Sequence, residues 1–383
     1  MVDTDVAVVG SGPYALSLAA HLRVLGVESR IFGPPMKFWR DMPRGVNLKS
    51  LAFATGVYVP GKRPTFPEWC RQNGLEDWEP CTMASFAEYG VAMQRRFVPH
   101  LEPVRVANVS AVGPSRFEVT LESEERLTAR RVVFATGLAY LENLPEVLRG
   151  LSRELVSHTS EHSDYATFRG MDVAVIGAGA SSIEAGALVH EGGGQSQILV
   201  REVEPVFHGR TDRDRSLIER IRHPWSVLGP GVHGLILERV PLAVHFAPEH
   251  RRVRLVTKHF GPASPWWIKD RVEGKVPILV RTSVVEAKAV GGKARLRLVT
   301  EGSGERTIEV DHVIAGCGYV SDVDRVTYLD ADLRKRLRRV ERAPVLSMNF
   351  ESSVKGAYFV GPIAAMCFGP LFRFVSGAKY AGP

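Results

Sequence analysis

The sequence is short of several things, and each shortage removes a class of function. No apolar run approaches the roughly 20 residues that a membrane-spanning helix needs. No basic stretch precedes the first apolar strand, Asp5–Val9, so a signal peptide is not expected and a cytoplasmic protein is. The four cysteines, Cys70, Cys81, Cys317 and Cys367, are too few and too scattered for a disulfide framework. They form no Cys-x-x-Cys or similarly close pair, which disfavours disulfide reduction. Cys317 lies between two glycines and Cys367 near another, so both read as small packing residues. A hydrolase lacks its Gly-x-Ser-x-Gly elbow. Among 12 histidines only His158 and His162 are spaced to share a metal, and no third ligand follows in a zinc pattern, so no metal is expected.

What is present is an ordinary globular composition with a positive bias. The 383 residues are 45% hydrophobic and 24% charged. That length suggests roughly two to three domains. The net charge is +7, which suits phosphate-rich ligands. The densest basic run, Arg210–Arg222, is interleaved with acids and reads as a solvated helix. No nucleic-acid module accompanies it, so no nucleic-acid partner is expected, and no membrane partner either.

Two glycine turns carry the functional signal. The apolar strand Asp5–Val9 runs into Gly10-Ser11-Gly12-Pro13-Tyr14-Ala15 and then into helical spacing over Leu16–Leu25. In such a turn the first glycine allows the bend, and the second lets backbone approach a pyrophosphate. The third small residue lets helix pack on strand. The helix N-terminus then offers free N–H groups to phosphate. The second strand, Glu28–Phe32, ends in Gly33 where an acid for a ribose hydroxyl is expected. The turn recurs 167 residues later as Gly177-Ala178-Gly179-Ala180-Ser181-Ser182. Its following strand, Gln197–Val200, ends at Arg201, and a cation there suits a 2′-phosphate. NADP(H) is therefore expected over NAD(H); a plain surface arginine is the competing account.

Two further strands follow the turns at matching places: Arg131–Gly137 (RVVFATG) and Asp311–Tyr319 (DHVIAGCGY), each preceded by a meander-like stretch, Arg116–Leu121 and Ala294–Val310. Ala357–Gly361 reads as a last strand, and Phe372–Tyr380 as a helix. The stripe Phe86, Tyr89, Met93, Phe97 reads as core rather than a cofactor box.

This order resembles the flavoproteins with two dinucleotide-binding domains, in particular the flavin-containing and N-hydroxylating monooxygenases. The residues that carry it are GSGPYA at 10–15, FW at 38–39, FATG at 134–137, SHTSEH at 157–162, GAGASS at 177–182, GCGY at 316–319 and YFVG at 358–361. The resemblance implies an α/β fold of two Rossmann-like, three-layer domains. A discontinuous FAD domain (1–150 and 310–383) would enclose an NADPH domain (151–309) with a substrate-facing insertion around 205–275. The implied FAD contacts are Gly10, Gly12, Pro13, Ala15, Trp39, Gly137, Gly361 and Phe368; the implied NADP contacts are Gly177, Gly179, Ser181, Ser182 and Arg201. The implied reaction uses NADPH, FAD and molecular oxygen. It passes through a C4a-hydroperoxyflavin and places one oxygen atom on a small nucleophile, an amine among the options.

The sequence also departs from that pattern. Gly150 lies eight positions before His158, and His162 stands where the family has an aromatic. The asparagine that those enzymes set beside the flavin is missing from Leu48–Thr55, though Asn47 precedes it. No catalytic residue is assigned; His158 and His208 are candidates, with a structural histidine as the alternative. Candidate pocket walls are Pro205–His208, Trp225–Gly234 and Gly261–Arg271. There Trp266 and Trp267 would line a site, and Lys269 and Arg271 would either clamp a carboxylate or stay solvated. Two other functions stay open: an NADPH oxidoreductase feeding electrons to a quinone, imine or protein, and a nucleotide-holding redox sensor. A homodimer is also left open.

Overall fold

The computed structural model describes residues 2–61, 63–202, 204–210, 215–258 and 263–382. The chain opens with β1 (Thr4–Val9), α1 (Pro13–Val24), β2 (Ser29–Phe32) and α2 (Lys37–Arg40). Helices α3 (Phe66–Gln72) and α4 (Met83–Phe97) lead to a meander of β3 (Val106–Gly113), β4 (Arg116–Leu121) and β5 (Arg126–Phe134). A second series follows: β6 (Val156–His158), β7 (Asp172–Ile176), α5 (Ala180–Glu191) and β8 (Gln195–Leu199). It continues through β9 (Val206–Phe207), α6 (Leu217–Arg222), α7 (Val232–Arg239), α8 (Glu249–Lys258), β10 (Ala263–Ser264), α9 (Trp266–Val272) and β11 (Ile278–Leu279). Antiparallel β12 (Thr282–Val290), β13 (Lys293–Thr300) and β14 (Gly304–Val310) precede β15 (His312–Ala315). The chain ends through a small hairpin, β16 (Arg339–Val340) with β17 (Ala343–Pro344), and β18 (Ala357–Phe359).

The first sheet runs β2-β1-β5-β4-β3, with β18 added to β5. Strand β5 changes partners along its length. Its early half pairs antiparallel with β4, Phe117 opposite Ala129, and its late half pairs parallel with β18, Ala357 opposite Val132. Val132 and Val8 are fully buried because this sheet is covered on both faces, as parallel pairing demands. The two chain ends are thus built into one sheet. Tyr14 of α1 ties them further: its hydroxyl donates to the carbonyls of Phe372 (3.0 Å) and Phe374 (2.8 Å).

The second sheet is parallel throughout, in the order β11-β8-β7-β15-β6. Its residues alternate faces as the strand period requires. Val173, Val175 and Ile314 pack under α5 and α9 with Ile183 and Ile268. Ala174, Val313 and Ala315 face the antiparallel sheet with Leu296, Leu298 and Val310. Strand β15 belongs to this sheet, so the boundary expected at 310 falls one strand early. The two segments that pass between the sheets run side by side. Val320 N–H donates to Leu141 O, and Asn143 N–H to Gly318 O, both at 2.8 Å.

Two helix expectations need correction. The segment Phe372–Tyr380 is not one helix but successive short turns, Pro370–Arg373, Val375–Gly377 and Ala378–Ala381. The chain bends around the Tyr14 hydroxyl so closely that a Cβ on Gly377 would lie 2.1 Å from it. The helix expected across Arg210–Arg222 covers Leu217–Arg222, and residues 211–214 lie outside the described residues. Of the stripe on α4, Phe86, Tyr89 and Met93 are buried and Phe97 is partly buried. No helix among the described residues is long and apolar enough to cross a membrane.

A histidine relay braces the outer strand of the second sheet. Ser157 Oγ lies 2.7 Å from both His162 Nε2 and His312 Nε2, and His312 Nδ1 lies 2.9 Å from the Glu154 carbonyl. The carbonyl only accepts, so His312 is protonated on Nδ1. Its Nε2 then accepts from Ser157, which in turn accepts from His162. Burial, and then the proximity of His312, hold the His162 imidazole down to about 4. Burial also lowers His312. A histidine depressed in the fold binds fewer protons there than in the unfolded chain, so stability is full above the unfolded value and falls as pH drops toward the folded one. The expected loss from His162, allowing for its partial exposure, is about 2 kcal/mol on going from pH 7.5 to 4.5. Urea unfolding at both pH values should show that loss, and His162→Gln should flatten the dependence by a similar amount.

Candidate functional site

The first cradle lies where β1 turns into α1. Gly10 has φ +133, and a Cβ there would lie 2.3 Å from the Ala135 carbonyl oxygen. Only glycine allows the strand end to approach so closely. Gly12 is the N-cap of α1, with extended backbone and no side-chain cap. A Cβ on Gly12 would meet nothing within 4 Å. The helix therefore presents its unpaired N–H groups and the positive end of its dipole to open space, the arrangement that holds a phosphate. Pro13 takes the first helical position, where its missing N–H costs nothing, and Ala15 is fully buried.

Gly33 explains the missing acid. It has φ +132, and a Cβ there would lie 2.9 Å from Ser11 Oγ. Ser11 Oγ itself donates to the Pro34 carbonyl at 2.6 Å. The end of β2 is pressed against the glycine turn, and a glutamate or aspartate would be strained there.

The remaining residues expected near the first cradle fall into two groups. Gly137 (φ +66) and Gly361 (φ +86) sit just past the ends of β5 and β18. A Cβ on Gly361 would touch the Tyr14 ring at 3.5 Å. Trp39 is partly buried, edge-on to Phe38 and Phe86, with ring centres 5.6 and 4.9 Å away. Phe368 lies inside the core instead, fully buried against Phe350 (4.3 Å) and stacked on His245 (5.2 Å). It supports the C-terminal segment from within.

The second cradle repeats the first on β7 and α5. Gly177 has φ +132, and its Cβ would lie 2.5 Å from the Gly316 carbonyl oxygen. Gly179 is the uncapped N-cap of α5, again with nothing within 4 Å of a Cβ. Ser181 is exposed in the first turn. Ser182 is fully buried and donates to the Gly316 carbonyl at 2.9 Å, which closes α5 onto the end of β15. Arg201 stands two residues beyond β8 with its side chain 78% exposed and 3.5 Å from Glu202. Its charge reaches the Cys317 thiol, which burial pushes up to about 11 against that pull. Arg201 follows β8 and the Gly316–Gly318 turn follows β15 in the same parallel sheet, so both stand at the same sheet end.

The two candidate histidines differ. His158 is buried, with Nδ1 2.7 Å from Ser160 Oγ and accepting from the Ser160 N–H, and Nε2 3.1 Å from the Gly318 carbonyl. Both ring nitrogens are engaged, burial lowers the proton affinity, and the ring packs edge-on to Tyr319. It braces the Gly-x-Gly-Tyr turn. His208 is exposed after β9, where its backbone N–H donates to the Ser264 carbonyl.

Of the three expected pocket walls, Trp225–Gly234 meets the first sheet unit. The Trp225 ring contacts Phe53 and Trp78, with centres 5.8 and 5.2 Å apart, and the Arg215 guanidinium covers it at 3.9 Å. Val227 helps line a cavity of about 130 Å³ with Phe53, Tyr58, Glu238 and Lys379. In the third wall Gly261 and Pro262 lie outside the described residues. Trp267 buries its indole N–H without a partner among the described residues, and Arg210 lies 5.2 Å over Trp266.

Sequence reasoning left Arg271 between clamping a carboxylate and being solvated. It clamps the protein's own: two 2.8 Å bonds to Glu191 and one of 3.3 Å to Glu184. Lys269 is exposed near Glu273. Three residues of interest were not anticipated. Glu184 is buried in α5 and forms an ion pair with Lys49. Its signal was a lone carboxylate among the small and apolar residues of ASSIEAGALV. Cys70 and Cys81, distant in sequence, meet with their sulfurs 3.6 Å apart. Burial raises both thiols, Cys70 to about 12, which favours their protonated forms.

Comparison with known proteins agrees with this architecture. The FAD-dependent urate hydroxylase of Xanthomonas campestris pv. campestris is 25% identical over 226 residues, 53% of this chain and 47% of that protein. The chain thus spans about half the length of the curated relative it matches. An ornithine hydroxylase of Pseudomonas aeruginosa superposes with a TM-score of 0.75 at 17% identity, covering 100% of this chain and 98% of that one. The ornithine N-hydroxylase of Kutzneria sp. 744, solved with reduced FAD, NADP+ and L-ornithine, gives 0.74 at 16% identity over 99% and 97%. Those identities speak for the fold alone. Residues 4–366 match the family described as pyridine nucleotide-disulphide oxidoreductase, and the chain belongs to that family.

Proposed function

We propose that the protein is an FAD-dependent, NADPH-reduced monooxygenase that places one oxygen atom on a small nucleophilic substrate, an amine first among them. The observation that carries this reading is the doubled cradle. Two helices begin at uncapped glycines with open space before them, each on the end of its own parallel sheet. One such turn serves a single nucleotide; two serve a resident flavin and a reductant.

The FAD diphosphate would rest on Gly12, Pro13 and the first turn of α1, and Gly137 and Gly361 would let backbone pass close to it. NADPH would rest on Gly179 and Ser181, with Arg201 taking the 2′-phosphate. Bound flavin would supply the electron transfer from NADPH to oxygen. The protein's own work is to orient the two nucleotides and to exclude water from the space between them. The insertion around 205–275 would supply part of that wall through Trp225, which packs on Phe53 and Trp78 of the first unit.

Purified protein should consume NADPH faster with the right amine, sulfide or ketone, and the product should gain the mass of one oxygen. NADPH oxidation with no oxygenated product from any of them would favour electron transfer to another acceptor.

The two glycines of the first turn should respond differently. Gly12→Val fills open space, so the protein should stay folded but lose its flavin and its yellow colour. Gly10→Ala meets the Ala135 carbonyl, so it should destabilise the fold itself. Far-ultraviolet circular dichroism beside the flavin absorbance separates the outcomes.

Arg201→Ala removes a charge-assisted contact worth about 1.5–3 kcal/mol, so KM for NADPH should rise roughly ten- to a hundredfold while KM for NADH barely moves. Equal changes for both would remove Arg201 from the 2′-phosphate.

A further inference from the structure

Resting on the reading above, the seam between the two cradles raises a separate question. Every residue proposed to hold NADPH belongs to the second sheet unit, and every residue proposed to hold FAD belongs to the first. Neither cradle by itself fixes how the nicotinamide meets the flavin. Some contact between the units must set that register.

One buried contact has the right position. The segment 46–49 is held within the first unit. Leu48 N–H donates to the Cys81 carbonyl at 2.9 Å, Met83 N–H to the Val46 carbonyl at 3.0 Å, and Asn47 bridges to Thr82. From it Lys49 extends across, donates to the Asn47 carbonyl at 3.2 Å and ion-pairs with Glu184. Glu184 lies in α5, five residues beyond the Gly179 N-cap, with its side chain only 4% exposed. Its other oxygen takes Arg271 of α9 at 3.3 Å, and Arg271 is anchored in turn by Glu191. One carboxylate on the cradle helix is therefore gripped from the other unit by Lys49 and from its own by Arg271.

Burying such a carboxylate is costly, and ion pairs of this kind add little net stability compared with apolar packing. They enforce a single geometry, because leaving either partner behind strands a charge. An apolar side chain at 184 would match its buried neighbours Ile183, Ala185 and Ala187 and would carry no such tie to the other unit. We propose that Glu184 and Lys49 are a pair of positioning residues that register the NADPH-bearing helix against the flavin unit, and so set the approach of the hydride donor to its acceptor.

The pair predicts a split between binding and transfer. Lys49→Met, Glu184→Gln, the double variant, Glu184→Asp and Lys49→Arg are compared as flavin-loaded enzymes. The readouts are flavin content, the dissociation constant for NADP+ and the anaerobic rate of flavin reduction at saturating NADPH. Hydrogen exchange over 46–49 and 180–186 is followed without added nucleotide. Lys49→Met and Glu184→Gln should keep their flavin and bind NADP+ within about twofold of wild type, while flavin reduction slows at least tenfold. The double variant should be no slower than either single, and Lys49→Arg should restore most of the rate. Glu184→Asp, which keeps the charge but shortens the reach, should still be slow. Exchange should quicken in both segments of the slow variants.

Unchanged reduction rates in flavin-loaded variants would overturn the proposal. So would NADP+ affinity falling in step with rate, which would make these residues direct nucleotide contacts. Loss of flavin from both single variants would make the pair purely structural and overturn it equally. A wild-type flavoprotein that NADPH cannot reduce would instead sink the functional reading, and the pair with it.

Discussion

A helix that begins on glycine in front of empty space is the constraint around which this molecule is arranged. At both turns a backbone carbonyl, that of Ala135 or of Gly316, occupies the place a Cβ would need. The carbonyl belongs to the strand end next door, so each turn forms only when that neighbouring strand is in place. This is why β5 and β15, far along the chain from the turns they brace, must return beside β1 and β7. The meanders before them and the chain-end strand β18 serve that return. The Tyr14 hydroxyl extends the logic to the last residues, which it holds on α1 through two carbonyls.

Much of this was legible because the strands are short, apolar and buried on two faces. Val6–Val9 and Val173–Ile176 have no polar face to misread, and each is followed by a glycine whose conformation has one purpose. The stretch Arg116–Leu121, read as meander-like, is the middle strand β4 of the β3-β4-β5 meander. What resisted reading was decided by contacts distant in sequence. The Phe372–Tyr380 segment has helical spacing, but Tyr14, hundreds of residues earlier, takes its carbonyls and bends it. Gly33 looked like a missing ligand, whereas it is a steric requirement imposed by Ser11. Cys70 and Cys81 share no motif and still touch, because α3 and the segment before α4 converge on one core.

The candidate site divides along the same line. The glycine turns proposed to face phosphate were visible, since backbone recognition leaves a glycine signature. Its charges were not, since a sequence does not say which carboxylate meets which cation. Arg271 stood between a substrate clamp and a solvated side chain, and it closes on Glu184 and Glu191. Lys49 sits in a loop that drew attention only for lacking an asparagine. A lone acid in the small and apolar stretch ASSIEAGALV was the clue, and its weight became apparent only with burial.

Recognition by backbone also accounts for how little of the sequence this architecture dictates. N–H groups at a helix start are the same whatever the side chains, so a cradle demands only a few glycines, one small residue and buried strands. That leaves most positions free, in keeping with a shared fold at a TM-score of 0.75 and an identity of 17%. The same economy has a consequence at the seam. Backbone cradles bind two nucleotides firmly but say nothing about the distance between them, and a hydride moves only between rings in near contact. The side chains that fix that distance are free to differ among proteins whose cradles are alike. Differences in reaction among relatives of this fold are therefore to be sought at the seam and the insertion proposed to wall it, rather than in the glycine turns.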